Sequence, residues 1–404
     1  MKICFITDTV FRQGGVARVT TTIANNLSRS NEVTIICTED KTRPDNDLYK
    51  LNKKVNIKYA KLSIQGYKRV VSKLLWISKL EGIRFFDKIN LYLRYSYREN
   101  ESLIQYINNE EFDVVIGVHY NYTLLLGLIS RAINCKTIGW QHNSYDAYVG
   151  TKKNYLYGKI GAFKVACGNL DKIFVLTEDD KVKYVNNFDI TPLVVNNPNS
   201  FKPQNNSNLE NKIFLAVGRL VKQKGFDILL EAFNIFNKYN KEWSLVIVGE
   251  GDEEENLRKK IEKYRIDDYV KIEKFTTNIE KYYCSSTVYL LSSRYEGWGL
   301  VWLEAMSCGL PIVAFKLPPC IEAIKGRDAG ILVESGNSEL FAKAMLEIIE
   351  DKKLLVKRSE ISKKIANEYT EEEIIKKWIA VLSNLYTEGN RNEQSKNKHN
   401  SINV

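Results

Sequence analysis

The chain of 404 residues is long enough for two domains, each with a hydrophobic core of its own. Hydrophobic residues make up 44% and charged residues 27%, as in ordinary globular proteins, and no apolar run approaches the roughly 20 residues that span a bilayer. The net charge of +10 leaves three partners open, namely nucleic acid, an anionic substrate and an anionic membrane surface.

The cysteines and the amino terminus indicate the compartment. The seven cysteines are scattered and form no CxxC pair, so neither a disulfide framework nor a zinc site is expected. The apolar stretch within Met1–Ile6 is too short for a signal peptide and predicts a first strand. We therefore expect a protein of the reducing cytoplasm.

The first half of the chain alternates apolar strands with amphipathic segments. This alternation predicts an α/β domain with a doubly wound parallel sheet over residues 1–197. The predicted strands are Lys2–Thr7, Glu32–Cys37, Val55–Ala60, Asp113–Val118, Lys136–Trp140, Lys172–Thr177 and Pro192–Val195.

Residues 68–98 combine basic charge with aromatic side chains such as Trp76 and Phe85, and Glu81 and Asp87 are their only acidic residues. Such a segment can lie on an anionic membrane surface. It can equally be an insertion that packs on the N-terminal core and keeps a solvated basic face, so both readings stay open. The basic residues are Lys68, Arg69, Lys73, Lys79, Arg84, Lys88, Arg94 and Arg98.

A polar stretch rich in Pro, Asn and Ser, residues 198–211, predicts a linker between two domains. The alternation of strands and helices resumes in residues 212–369 and predicts a second α/β domain. Its predicted strands are Ile213–Val217, Ser244–Val248, Val270–Glu273, Thr287–Leu291, Pro311–Phe315 and Gly330–Val333.

The end of the chain predicts one more helix and a tail. Thr370 and Glu373 have the spacing of a capping box, which predicts that a final helix occupies residues 370–388 and ends near Tyr386. Residues 389–404 are polar and poor in apolar side chains, and we expect them to be disordered.

Two glutamates with seven residues between them, Glu296 and Glu304, follow the predicted strand Thr287–Leu291. The glycines at 297 and 299 predict a turn that opens a helix carrying Glu304. Free backbone N–H groups at a helix start bind anions, and glycines let a phosphate approach closely. Carboxylates accept hydrogen bonds only, which suits sugar hydroxyls. This combination indicates a nucleotide-sugar.

Two cations in the loop that follows the strand Ile213–Val217 complete the pattern. Arg219 offers a planar fork of donors and Lys224 a point charge, and both suit a diphosphate. A third loop, which begins at Gly249, follows the strand Ser244–Val248. Because ligands of open α/β sheets bind at the carboxyl ends of the strands, we expect the three loops to converge.

Over residues 1–388 the order and spacing of four motifs resemble those of retaining glycosyltransferases of family 4. This resemblance implies the GT-B fold, in which two doubly wound, Rossmann-like parallel-sheet domains face a central cleft, with a terminal helix that crosses back to the first domain. The motifs are Val217-Gly218-Arg219-Leu220 with Lys224-Gly225, Val248-Gly249-Glu250-Gly251, Glu296-Gly297-Trp298-Gly299 with Glu304-Ala305, and Gly309-Leu310-Pro311-Ile312-Val313.

The resemblance also implies roles for these residues. Arg219 and Lys224 would stabilise the leaving diphosphate, Glu296 would position hydroxyls of the donor sugar, and Glu304 would bind the ribose. His142, which follows the strand Lys136–Trp140, would contact the sugar or the incoming hydroxyl. The other expected donor contacts are Gly14, Gly15, Gly218, Gly249, Gly297, Trp298, Gly299 and Leu300.

Three features leave details open. A strand-end histidine, His119, aligns ambiguously with the family by one residue, so its role is undecided. Residues 276–278 replace a glycine that relatives usually have after Phe275, and residues 317–322 lack a common Gly-Pro element. These departures leave the base and the donor sugar open, but not the class of reaction.

We expect neither a metal nor a cofactor. Residues 45–47 have the spacing of a metal-binding DxD motif, but they lie in a polar loop and are interpreted as a solvated turn. Arg219 and Lys224 can offset the charge of a diphosphate without a divalent ion. Nucleic acid is not an expected partner, because no helix-turn-helix, zinc-finger or aromatic RNA-binding signature accompanies the positive charge.

The sequence therefore predicts a glycosyltransferase that moves a sugar, with retention, from a nucleotide-diphosphate sugar, which we expect to be a UDP-sugar. The acceptor would be a glycan or a lipid-linked molecule of surface polysaccharide, capsule, teichoic acid or lipopolysaccharide synthesis. The enzyme would be cytoplasmic, with the inner face of the membrane as an open second location. The alternative is a non-catalytic partner subunit with the same fold, and the sequence does not give the sugar, the linkage or the oligomeric state.

Overall fold

The computed structural model describes residues 1–39, 47–62, 70, 74, 80–95, 97–150 and 155–400. The chain forms two compact units. The first comprises Met1–Pro198 together with Glu371–Val404, and the second comprises Asn199–Thr370.

The first unit contains a sheet of seven strands in the order β3-β2-β1-β4-β5-β6-β7, all of them parallel. Most of the strands are short and largely apolar because both faces of a parallel sheet are covered by helices. Their bounds are β1 Lys2–Thr7, β2 Glu32–Cys37, β3 Val55–Tyr59, β4 Val114–Val118, β5 Lys136–Trp140, β6 Lys172–Val175 and β7 Leu193–Val194.

Eight helices belong to the described part of this unit. One of them, the last helix of the chain, packs on the sheet by inserting Trp378 among Phe5, Trp140 and Phe174. The helices are α1 Gly15–Leu27, α2 Arg84–Tyr92, α3 Tyr97–Asn109, α4 His119–Ile129, α5 Tyr145–Val149, α6 Ile160–Gly168, α7 Glu178–Phe188 and, after the second unit, α15 Glu371–Asn400.

The second unit contains a sheet of six parallel strands in the order β10-β9-β8-β11-β12-β13. The strands are β8 Ile213–Val217, β9 Ser244–Val248, β10 Val270–Glu273, β11 Val288–Leu291, β12 Ile312–Phe315 and β13 Gly330–Val333. The helices are α8 Phe226–Phe236, α9 Glu254–Tyr264, α10 Glu280–Cys284, α11 Leu300–Ser307, α12 Pro318–Ile324, α13 Ser338–Glu350 and α14 Lys352–Asn367.

The strand order places the expected site at a topological switch point. The chain turns from β8 to its neighbour β9 on one side and later returns to place β11 on the other side. In open α/β sheets a crevice opens at the carboxyl ends of two such strands, because the connections leave them in opposite directions. The loops that carry Arg219 and Glu296 follow β8 and β11.

The predicted fold class is confirmed, since both units are α/β with wholly parallel sheets. All thirteen predicted strands are present, and their ends differ from the prediction by no more than two residues. Burial on both faces makes the inner strands largely apolar, whereas the edge strands β3 and β10 also carry exposed polar residues, and both patterns are visible in the sequence.

The predicted linker, residues 198–211, is corrected by the structure. From Asn199 onward these residues belong to the second unit, where Glu280 Oε1 accepts hydrogen bonds from the backbone N–H groups of Gln204 and Asn205 at 2.6 and 2.8 Å. The Ser207 N–H donates to the carbonyl of Cys308 at 2.9 Å. A composition rich in Asn and Ser thus reflects side chains and turns that bond to the backbone, and not a detached segment.

The last helix is longer than predicted. Helix α15 continues past Tyr386 to Asn400, into the stretch expected to be disordered. These residues contain no proline, so each of them can donate a backbone N–H to a helix that continues on local hydrogen bonds without an apolar face. Residues 401–404 lie outside the described residues.

Two other predictions fall on residues that the structure does not describe. Residues 45 and 46 of the predicted solvated turn are among them, as are Lys68, Arg69, Lys73, Trp76 and Lys79 of the basic segment. Among the described residues, no helix has both the length and the apolar character needed to cross a membrane.

Candidate functional site

The loops that follow β8 and β9 approach each other closely. A Cβ atom added at Gly249 would lie 1.9 Å from the carbonyl oxygen of Gly218, so a side chain there would force the two backbones apart. A Cβ at Gly218 would lie 3.1 Å from Cε of Lys224, which shows that the lysine stem crosses this glycine. The glycines therefore let Lys224 reach the carboxyl end of the sheet.

Lys224 and Glu296 form an ion pair at this edge. Lys224 Nζ lies 2.6 Å from Glu296 Oε1, and the two side chains are only 13% and 6% exposed. The same oxygen accepts a hydrogen bond from Ser293 Oγ at 2.7 Å. Within the described part of the chain, Glu296 Oε2 makes no hydrogen bond, so one oxygen of the carboxylate is fixed and the other is available to a ligand.

The loops that follow β8 and β11 are joined by a second set of bonds. Arg294 forms a bidentate pair with Asp227, with both N–O distances at 2.8 Å, and also donates to the carbonyl of Lys222 at 2.7 Å. These hydrogen bonds hold the pKa of Asp227 below its ordinary value. Ser292 Oγ donates to the carbonyl of Lys224 at 3.0 Å. The bonds fix the backbone on both sides of the Lys224–Glu296 pair.

The residues 297–299 turn into helix α11. Gly299 has φ of +77°, and a Cβ there would lie 2.8 Å from the Trp302 ring, so only glycine suits this position. Leu300 begins the helix, whose start has neither a side-chain cap nor an acidic residue in its first turn. Its first backbone N–H groups therefore have no side-chain cap, and the nearest carboxylate is that of Glu296, whose Cδ would lie 3.6 Å from a Cβ added at Gly299.

Trp298, which is an expected donor contact, has a buried side chain. Its indole is 1% exposed and packs edge-on against Tyr369, with ring centroids 5.0 Å apart, while its carbonyl accepts a hydrogen bond from Trp302 Nε1 at 2.8 Å. A large aromatic side chain gains more from burial than from exposure at a loop. The structure thus uses this side chain as packing beneath the loop.

Glu304 is held inside the second unit. It is the fifth residue of helix α11, is 2% exposed, and its Oε2 accepts a hydrogen bond from the Tyr283 hydroxyl at 2.9 Å. Desolvating a carboxylate is costly unless it is hydrogen-bonded. A ligand hydroxyl at this position would add a further donor.

Arg219 lies on the loop that follows β8. Its side chain is exposed, and it makes no ion pair with any residue in the described part of the chain. Lys224, by contrast, is already paired with Glu296. An anion at the switch point would therefore meet the exposed charge of Arg219 and the shared charge of Lys224.

Gly14 and Gly15 belong to the first unit and begin helix α1. The backbone N–H of Gly14 donates to the Tyr49 hydroxyl at 2.9 Å. A Cβ added at either glycine would meet no atom within 4 Å, so neither position is crowded by the described residues.

Two histidines of the first unit, His119 and His142, lie at the ends of the neighbouring strands β4 and β5. Burial lowers the pKa of His119 to about 4, and burial followed by the proximity of His119 lowers that of His142 well below its ordinary value. His142 is 7% exposed, and neither ring nitrogen has a hydrogen-bond partner among the described residues. Both rings are therefore neutral at pH 7, and His142 has a lone pair to offer.

His119 has an unusual backbone conformation. Its φ is +76°, which is uncommon for a residue with a Cβ and occurs mostly where the surroundings force it. Its ring lies 4.5 Å from that of Tyr120 and 5.7 Å from that of Tyr155, between centroids. Asn143 Nδ2 lies 3.4 Å from His119 Nε2.

The described residues contain no cluster of three or more His, Cys, Asp or Glu side chains arranged to hold a metal ion. A groove of about 420 Å³, lined by Lys212, Trp243 and Leu355 among others, opens away from the strand ends and contains none of the predicted site residues.

The sequence did not point to Ser293, Arg294 or Tyr283. Ser293 and Arg294 lie within three residues of Glu296, so proximity in sequence was the only available signal. Tyr283 is 21 residues from Glu304, and only the packing of α10 against α11 brings them together. No periodicity of the sequence could have shown this contact.

Comparison with known proteins identifies the family. Residues 198–365 match the family Glycosyl transferases group 1, and residues 13–198 match Glycosyltransferase Family 4. An uncharacterized glycosyltransferase of Haemophilus influenzae is 34% identical over 308 residues, covering 73% of this chain and 86% of that protein. The amylovoran biosynthesis glycosyltransferase AmsD of Erwinia amylovora is 28% identical over 393 residues, covering 95% and 99%.

The solved structures agree on the fold. Anabaena HepE in complex with UDP and glucose superposes with a TM-score of 0.73 at 16% identity, over 95% of this chain and 99% of that chain. Likeness at this identity shows architecture alone. With the family matches and the two parallel-sheet units, it establishes that this chain is a glycosyltransferase of the group 1 family with the GT-B fold.

Proposed function

We propose that this protein transfers a sugar, with retention of the anomeric configuration, from a UDP-sugar to a glycan or lipid-linked acceptor. The observation that carries the proposal is the grouping at the switch point of the second unit. Lys224 is paired with one oxygen of Glu296, and the loop after β8 adds Arg219, an exposed cation that makes no ion pair with any of the described residues. A diphosphate and a sugar hydroxyl are the groups that such a set can bind together.

Each residue would have a distinct task. Arg219 and Lys224 would stabilise the negative charge that grows on the leaving diphosphate as the glycosidic bond breaks. The backbone N–H groups of residues 297–300 would hold the same phosphates. Glu296 Oε2 would accept from a hydroxyl of the donor sugar, and Glu304 would accept from the ribose. No residue is assigned as a nucleophile.

The ion pair between Lys224 and Glu296 affects how the donor binds. Before binding, Lys224 is shared with Glu296 and makes a hydrogen bond 2.6 Å long. A phosphate that enters must compete for Lys224, while the sugar hydroxyl relieves the negative charge of Glu296. Diphosphate and sugar would therefore bind best together, which favours the intact donor over either part.

His142 would contact the sugar or the incoming acceptor hydroxyl. Because burial keeps the pKa of His142 well below its ordinary value, the imidazole stays neutral and can accept a hydrogen bond at neutral pH. Neither ring nitrogen is engaged by the described residues, so a ligand would supply its partner.

The donor class and the pathway are supported by relatives. HepE, which has the same fold, was solved with UDP and glucose, and AmsD is named for amylovoran biosynthesis. We place the acceptor in the synthesis of a surface polysaccharide, capsule, teichoic acid or lipopolysaccharide. The reaction would take place at the cytoplasmic side of the envelope.

A screen of donors tests the proposed function. Release of nucleoside diphosphate would be measured without acceptor for a panel of UDP-, GDP-, ADP- and TDP-sugars, with and without excess chelator. We expect slow hydrolysis of a UDP-sugar that persists in chelator, because side-chain cations replace a metal. Hydrolysis abolished by chelator and restored by Mg²⁺ or Mn²⁺ would contradict the metal-independent mechanism. Binding without turnover of any donor would favour the alternative of a non-catalytic partner subunit.

The proposal includes contact with the membrane through helix α2. Its outward residues are Arg84, Phe85, Lys88 and Tyr92, with Phe85 66% and Tyr92 60% exposed. The only acid of this helix, Asp87, is 5% exposed and turned inward. An exposed face with cations and aromatic rings but no acid complements an anionic lipid surface.

Vesicle sedimentation tests this contact. We expect wild-type protein to bind anionic vesicles more than neutral ones, and each cation at the surface contributes about 1 kcal/mol. The double substitution Arg84→Gln and Lys88→Gln should reduce binding to anionic vesicles about 30-fold. The matched control is Lys238→Gln with Lys263→Gln, which removes the same charge from the second unit. Equal binding by both variants would contradict membrane contact through α2 and favour the alternative, in which its basic face is solvated.

A further inference from the structure

Each glutamate of the site is fixed through one carboxylate oxygen by a hydroxyl from a neighbouring element. Ser293 Oγ lies 2.7 Å from Glu296 Oε1, and the Tyr283 hydroxyl lies 2.9 Å from Glu304 Oε2. Neither hydroxyl belongs to the motifs that identify the family. Both side chains are buried, at 1% exposure for Ser293 and 0% for Tyr283.

Ser293 is held at a defined point because it follows β11 directly. Oε1 of Glu296 accepts from both Ser293 and Lys224, which determines how the carboxylate is rotated. When Lys224 turns towards a phosphate, Ser293 remains as the fixed partner of Oε1. The other oxygen then keeps its place for a sugar hydroxyl.

Tyr283 is held by packing. Its ring meets that of Phe201 edge-on with centroids 5.6 Å apart, and its hydroxyl also lies 3.2 Å from the carbonyl oxygen of Val301. Helix α10 therefore supports helix α11 from outside the sheet. A single hydroxyl links the first turn of α11 to Glu304, so the orientation of the carboxylate is coupled to the start of the helix.

We propose that Ser293 and Tyr283 are positioning residues that determine which oxygen of Glu296 and of Glu304 faces the donor. The inference rests on the proposed function, in which Glu296 binds the sugar and Glu304 binds the ribose. Ser293 acts on recognition of the sugar, and Tyr283 acts on recognition of the ribose. The two residues therefore affect different parts of the same ligand.

Calorimetry with two nucleotides isolates the role of Tyr283. The ratio of the Kd of 2′,3′-dideoxy-UDP to that of UDP measures how much the ribose hydroxyls contribute. In Tyr283→Phe this ratio should fall about 10-fold, the scale of one hydrogen bond to a charged group. Tyr289→Phe is the matched control, since it also removes a buried hydroxyl, one that donates to the Val217 carbonyl at 3.2 Å. An equal fall in both variants would overturn the assignment.

Donor kinetics isolate the role of Ser293. Ser293→Ala should lower kcat/KM for the UDP-sugar about 10-fold while the Kd of UDP stays within about 2-fold. Ser286→Ala is the control, because its buried hydroxyl donates to the Tyr282 carbonyl at 2.7 Å. A loss of UDP affinity equal to the loss of kcat/KM, or a control that behaves like Ser293→Ala, would contradict a role limited to the sugar.

Substitution of the glutamates separates failure of this inference from failure of the proposed function. Glu304→Gln should lower the ratio of the Kd of 2′,3′-dideoxy-UDP to that of UDP. The double variant Tyr283→Phe with Glu304→Gln should lower this ratio no further, because both substitutions act through the same carboxylate. A Kd ratio in Glu304→Gln equal to that of the wild type would refute the proposed ribose site. If the Kd ratio is reduced in Glu304→Gln but equals the wild-type value in Tyr283→Phe, only the positioning role of Tyr283 is refuted.

Discussion

Replacing Arg219 or Lys224 with alanine is expected to lower kcat for a verified donor at least about 100-fold, the scale of removing one group that stabilises charge in the transition state. As the sugar leaves, negative charge concentrates on the diphosphate, and these two side chains are the cations that the loop after β8 places at the strand ends. Arg219 is exposed, so its removal should leave the folded state unchanged. Turnover is measured by release of nucleoside diphosphate.

The control for this prediction is Lys222→Ala. Lys222 lies in the same loop and is exposed, so the substitution removes one positive charge without removing a proposed ligand of the diphosphate. We expect nearly normal turnover and an unchanged melting temperature. Near-normal turnover in both Arg219→Ala and Lys224→Ala would show that the diphosphate binds elsewhere.

The glutamates are expected to respond in opposite directions when free UDP is titrated. Glu296→Gln removes the negative charge that holds Lys224 at 2.6 Å, and the released lysine should bind UDP as tightly as in the wild type or more tightly. Turnover of the UDP-sugar should nevertheless fall about 100-fold, because the carboxylate and its alignment with the sugar are lost. Glu304→Gln should weaken UDP binding about 10-fold, since an amide has one acceptor oxygen instead of two.

Calorimetry with UDP and steady-state kinetics with the UDP-sugar measure both halves of this prediction. Thermal melts check that each variant is folded, which matters because both carboxylates are buried. The assignment of Glu296 to the sugar and Glu304 to the ribose is wrong if the two variants lose UDP affinity equally, or if only Glu296→Gln weakens the binding of UDP.

The sequence was sufficient to predict both sheets and the loops that carry the site. Parallel strands covered on both faces must be apolar throughout, and a run such as Ile213–Val217 followed by a glycine is visible without any knowledge of its neighbours. The position of Arg219 after one strand and of Glu296 after another follows from the same pattern. Topology then brings them to one edge of the sheet.

Contacts between distant parts of the chain were not predictable in this way. The pair Lys224–Glu296 joins residues 72 positions apart, and its geometry depends on the close approach of two backbones at Gly218 and Gly249. The burial of Trp298 depends on Tyr369, which is also remote in sequence. Side-chain partners of this kind are set by packing, about which composition and periodicity carry no information.

Predictions made from composition were wrong for the segments with few apolar residues. Residues 198–211 read as a linker, yet their polar side chains and backbone groups bond along the second unit. The tail after Tyr386 has only two apolar residues, Ile402 and Val404, yet α15 continues to Asn400. In both cases hydrogen bonds stabilise structure that hydrophobic patterning does not reveal.

The central claim is that the switch point of the second unit binds a diphosphate, and parallel titrations of UDP and UMP test it most directly. The β-phosphate is the group that Arg219 and Lys224 would bind, so wild-type protein should bind UDP at least about 10-fold more tightly than UMP. In Arg219→Ala this preference should largely disappear, whereas Lys222→Ala should keep it. Equal affinity of the wild type for the two nucleotides, or an undiminished preference in Arg219→Ala, would contradict the claim.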